Sequence, residues 1–164
     1  MTKQQAVEMF MPPNTLKAKV GGPSGGTSMD MAAIKRAEDA VGGLKAEFQD
    51  WVGEDIARLE QAREKFAQLR SKKVAGELFR ASHDIKGQAS TFDFPLVARV
   101  AVSLCKLIEE TKAIETLPLN LIDAHVQAIR VIFRDKIRDM SNPTAIALAE
   151  ELEARTAETL VEQG

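Results

Sequence analysis

The residues of this chain best equipped for chemistry lie in one short segment, His83-Asp84-Ile85-Lys86-Gly87. A histidine side chain has an ordinary pKa of about 6.5, so near pH 7 much of it is neutral, and a neutral imidazole nitrogen is a competent nucleophile. Lys86 and Gly87 follow His83 at i+3 and i+4, the spacings that share a face on a helix. The lysine places a positive charge within reach of any group bonded to the ring, and phosphoryl transfer depends mostly on positioning and charge neutralisation. The glycine clears room for something to approach, at a cost of about 1 kcal/mol relative to alanine in an exposed helix. Phe79 at i−4 and Ser90 at i+7 fall on the same face. An apolar ring on a polar face suits a partner surface, and Phe79, Ser82 and Ser90 are the expected docking rim. The chemistry indicated is acceptance of a phosphoryl group on His83. The chain has no GxxxxGK[ST] loop and no glycine-rich lid, so the phosphate must come from another protein.

The segment must be helical for this face to exist. Advancing about 100° per residue, Val74, Leu78, Ala81, Ile85, Ala89 and Phe92 fall in one narrow arc, and His83 lies nearly opposite it. Other helices follow from the same periodicity. Asp30 to Ala40 is expected to form a short helix that Gly42-Gly43 ends. A long one follows, with Leu44, Phe48, Trp51, Val52, Ile56, Leu59, Phe66 and Leu69 as its inner stripe. After the His83 helix, Asp93 can cap the next, with Pro95 in its first turn and Val97, Val100, Ala101, Leu104, Leu107 and Ile108 facing inward to about Thr111. Pro118 starts a helix in which Ile122, Val126, Ile129, Phe133 and Ile137 share a face. Asn142-Pro143 caps a last one to about Leu160, carrying Ile146, Leu148, Ala149 and Leu152. The predicted fold is all-α, an antiparallel four-helix bundle with additional terminal helices. Residues 1–29, rich in Pro and Gly-Gly pairs from Pro12 on, read as a flexible tail and linker, and residues 30–164 as the bundle domain.

Bulk properties narrow the function further. With 164 residues and 45% apolar content, the chain can bury one self-sufficient core. Its 22 basic and 24 acidic residues leave a net charge of −2, without the basic field that draws in nucleic acid. No stretch approaches the roughly 20 apolar residues that span a bilayer. A single cysteine, Cys105, permits no internal disulfide and reads as a small buried hydrophobe; two histidines and one thiol offer no metal site. The expectation is a soluble, cytoplasmic, monomeric protein with no cofactor. His125, without Lys-Gly after it, reads as a packing residue at the core boundary, Trp51 as core, and the charged run Glu60 to Arg70 as a solvated face.

The His83–Gly87 segment resembles the His-x-x-Lys-Gly signature of histidine-phosphotransfer (HPt) domains, and Phe94 to Glu109 is similar to that family's next helix. The resemblance covers residues 74 to 110. It implies that His83 is the phosphoacceptor, that Lys86 favours the phosphoryl group and that Gly87 sits beside it. The implied partners are response-regulator receiver domains and hybrid histidine kinases, with magnesium on the receiver, since Asp84 is the one carboxylate expected near His83. The implied function is relay of phosphate between receiver aspartates, as a carrier and not an ATP-dependent kinase. Two positions depart from the family pattern. Phe92-Asp93 stands where many members have a second glycine, and the next helix offers Ser103, Cys105 and Lys106 in place of the Gln that often steadies the imidazole. Gln88 is adjacent but points toward the core side. The alternatives are a helical adaptor that binds a partner without phosphate chemistry, and the dimerising phosphoacceptor part of a histidine kinase. In the latter, a proline usually follows the histidine more closely than Pro95 does.

Overall fold

The computed structural model describes residues 26–164, with side chains from residue 30 on. Five α-helices carry the described residues: α1 (Gly26–Gln68), α2 (Lys72–Thr91), α3 (Pro95–Glu110), α4 (Leu119–Arg134) and α5 (Pro143–Glu162), with a 3-10 turn at Ile114–Thr116. Among the described residues there is no strand, and no helix is long and apolar enough to cross a membrane. The stretch read as a tail lies outside the described residues up to residue 25, and α1 begins at Gly26, inside it.

The expected break at Gly42-Gly43 is absent, and α1 passes through both glycines. Glycine lowers helix stability by about 1 kcal/mol but forbids nothing, and it ends a helix only where a left-handed backbone follows. Contacts divide the chain into Met1–Leu44 and the compact unit Lys45–Gly164. In the first, helical residues 30–44 are exposed throughout, Leu44 included.

The compact unit is built by the apolar stripes. On α1, Phe48, Val52, Ile56, Leu59 and Phe66 are buried as their spacing predicts, but Trp51 is half-exposed, and Leu69, just past the end of the helix, more so. All six predicted inner residues of α3 are buried, because α3 packs against α2, α4 and α5. Two sets of contacts give the direction of each helix. At one end Phe48 of α1 stacks on Phe92 just after α2, with ring centroids 3.8 Å apart, and Phe94, just before α3, meets Phe133 near the end of α4 at 5.3 Å. At the other end Arg70, just after α1, donates to the carbonyls of Glu115 and Leu117, just before α4. Helices α1 to α4 therefore run alternately up and down as a four-helix bundle. Helix α5 adds itself to α3 and α4, tied by the two-pronged ion pair Arg99–Glu153 at 2.6 and 2.8 Å. Arg63 grips Asp123 in the same way to join α1 to α4.

Helix ends use the devices their residues allow. Ser71 accepts from the Val74 N–H to open α2, and Asn142 accepts from the Ala145 N–H to open α5 with Pro143 in first position. Asp93 does not cap α3. It adopts a left-handed backbone (φ 63°) that closes α2, with the Phe94 N–H bonded to the Ala89 carbonyl. An aspartate thus takes the conformation that glycine favours.

His125 is fully buried between α3, α4 and α5, deeper than a boundary residue. Its Nδ1 lies 2.7 Å from the Leu121 carbonyl, which can only accept, so the ring proton sits on Nδ1. Nε2 then accepts from the Ser103 hydroxyl at 2.9 Å, and Thr156 completes the knot 3.1 Å from Ser103. Burial drives the His125 pKa below 6.5, against a smaller opposing effect of the Leu121 bond.

Candidate functional site

Helix α2 converts its spacing into a face as expected. Val74, Leu78, Ile85 and Ala89 are buried against the bundle, while His83, Asp84, Gly87 and Ser90 are exposed. The His83 imidazole lies against the ring of Phe79, one turn earlier, with centroids 6.0 Å apart and planes 30° from parallel. Among the described residues no hydrogen bond engages either ring nitrogen. Phe79 itself is half-buried and packs on the core, so it is not a free apolar anchor.

Ser82 does not belong to the docking rim. It is completely buried and its hydroxyl donates to the Leu78 carbonyl at 2.8 Å, so no partner can reach it. Its spacing from Leu78 (i+4) and Ile85 (i−3) already put it on the inner arc. Ser90 is exposed and its hydroxyl donates to the Lys86 carbonyl.

Gly87 shows what the packing does not require. A Cβ built there meets nothing within 4 Å, so close helix packing is no reason for the missing side chain. Lys86 is half-buried toward α3, where its charge acts on the Cys105 thiol. That thiol is buried, and burial pushes its pKa up to about 11, which makes it the inert hydrophobe the sequence suggests.

Between α1 and α2, on another side of His83, lies a groove of about 360 Å³ lined by Asp55, Arg58, His83, Asp84, Gly87, Gln88, Thr91 and Phe92. The α1 residues here were not anticipated. Asp55 is only 6% exposed. Its Oδ1 accepts from Arg58 Nη1 at 2.8 Å, whereas Oδ2, like the Oε1 of Gln88, is buried without a partner among the described residues. Burial raises the Asp55 pKa first of all; Arg58 pulls it down, and Asp84 and Glu54 push it up. One signal was present in the sequence, a carboxylate next to Ile56 within the apolar stripe from Val52 to Leu59. Asp84 is therefore not the one carboxylate near His83.

The arrangement sets an exposed imidazole between a lysine on one side and a groove carrying an arginine and two carboxylates on another. A family model described as the Hpt domain matches residues 43–154, most of the chain and nearly all of the compact unit. No curated protein and no solved structure matches.

Proposed function

The chain belongs to the Hpt domain family, the phosphotransfer modules of two-component signalling, and on that premise we propose that His83 takes a phosphoryl group from a receiver-domain aspartate and yields it to another. In the forward step the unprotonated ring nitrogen attacks phosphorus. The N–P bond forms, the P–O bond of the aspartyl phosphate breaks, and the aspartate leaves as a carboxylate with the bonding pair. The other ring nitrogen keeps its proton. Transfer to the second receiver is the same step in reverse, so the chain acts as a carrier and needs no nucleotide of its own.

The observation that carries this reading is the outward imidazole of His83 with both ring nitrogens unengaged, beside a glycine whose Cβ would meet only open space. Lys86 neutralises charge on the transferred group, and Phe79 and Ser90 border the surface a receiver covers. Magnesium belongs to the receiver's acid pocket.

The test is incubation with a phosphorylated receiver domain, comparing wild type with His83→Gln. Label that is lost in acid, kept in alkali and absent from the variant is expected. Acid-stable label, or label that persists in His83→Gln, would remove the proposal, and no transfer from any receiver of the source organism would favour the adaptor.

A further inference from the structure

We infer that Arg58 of α1 is a second cation for the phosphoryl group, leaving Asp55 and turning onto the phosphohistidine when His83 is charged. The inference rests on His83 as the phosphoacceptor.

Charge states the problem. A phosphoryl group brings roughly −1.5 to −2 at neutral pH. It arrives on an imidazole next to Asp84, and the groove beside it also holds Asp55. Lys86 answers on the α3 side, where it already acts on Cys105. On the groove side Arg58 is the one lysine or arginine among the lining residues.

Arg58 is equipped to move. Its side chain is 64% exposed, held by a single close bond from Nη1 to Asp55 Oδ1 and by a looser approach of Nη2 to Glu54 at 3.8 Å. Among the described residues its remaining N–H donors have no acceptor. A guanidinium fork fits phosphate oxygens through two parallel bonds, a better match than one carboxylate oxygen.

Asp55 is equipped to let it go. Its Oδ2 is already sealed without a partner, so the carboxylate uses only part of its accepting capacity. Burial raises its pKa, so its charged form is less favoured there than that of a solvated carboxylate, with Arg58 as the opposing influence. Gly87 lines the same groove, and a Cβ there would meet nothing within 4 Å. No covalent bond of Arg58 changes; it exchanges one acceptor for another.

The experiment loads the full chain with phosphoramidate, a small donor that needs no receiver docking, and then equilibrates it with a receiver domain. Wild type is compared with Arg58→Gln, Arg58→Lys and Asp55→Asn, each checked for folding by thermal melting. Arg58→Gln should lower phosphoramidate loading and shift the equilibrium toward the receiver aspartate by roughly fivefold, the scale of an exposed charge pair. Arg58→Lys should recover most of that loss. Asp55→Asn, which frees the arginine, should shift the equilibrium the opposite way. If Arg58→Gln loads from phosphoramidate like wild type, the inference is overturned, and weakened receiver binding in that variant would make Arg58 a docking residue instead. Failure of wild type itself to take label would remove the His83 reading and this inference together.

Discussion

The chain has two histidines, and its packing uses them for opposite purposes. The His125 ring is enclosed on every side, with Nδ1 bonded to the Leu121 carbonyl and the Nε2 lone pair occupied by Ser103. The His83 ring lies against Phe79 and faces solvent. A nitrogen can attack phosphorus only with an unoccupied lone pair and space in front of it, and a buried ring can stay buried only if its nitrogens are bonded. The same side chain is thus a structural bolt in one place and an open ring, free for the proposed attack on phosphorus, in the other, by virtue of its neighbours.

The sharpest test exchanges the two roles. His83→Gln should abolish acid-labile label while leaving stability within about 0.5 kcal/mol, as for an exposed side chain without partners. His125→Ala should still accept label but unfold at lower urea concentration, with a loss of about 3 kcal/mol from the cavity and the broken polar knot. A His125→Ala protein that folds well yet takes no label would break the division.

A pH titration of stability sharpens the same contrast. His125 has a folded pKa lowered below its unfolded 6.5, so its contribution is fully present above that value. It is lost as pH falls from 6.5 toward the folded pKa, because the unfolded chain there binds a proton that the folded one refuses. Wild type should lose stability over that window, and His125→Ala should lose less. Urea melts across the range measure it; equal slopes would mean that the knot accommodates a charged ring.

The smallest effect concerns Gly87. Alanine there should raise stability by about 1 kcal/mol, since its Cβ meets nothing, and should slow transfer from a receiver. Stability and transfer moving in opposite directions would identify this glycine as kept for approach. Unchanged transfer would assign the open space no role.

Legibility along the sequence followed the number of neighbours each helix has. The stripe of α3 was read without error because α3 meets partners on several sides, so every apolar position on its arc is covered. Periodicity alone over-assigned α1: Leu44 and Trp51 lie near the inner arc yet are exposed, because spacing marks an angle and not how far the partner helices reach, and Leu69 falls just past the end of the helix. Gly42-Gly43 misled for a different reason, since glycine permits a break without imposing one. At Asp93 the failure was conformational, a left-handed backbone adopted by a residue read as a cap.

What the sequence determined by itself was local: an all-helical chain, and on α2 an arc that sends Ile85 inward and His83, with Gly87 one turn on, outward. In a helix the spacing between residues is an angle, so the face around His83 follows from counting. Only the tertiary structure decided what stands across from that face. Asp55 and Arg58 reach the groove beside His83 because α1 and α2 pack in one register, set by the stacking of Phe48 on Phe92 and by the whole core behind it. No count along one helix contains that register, because it is a property of two surfaces meeting.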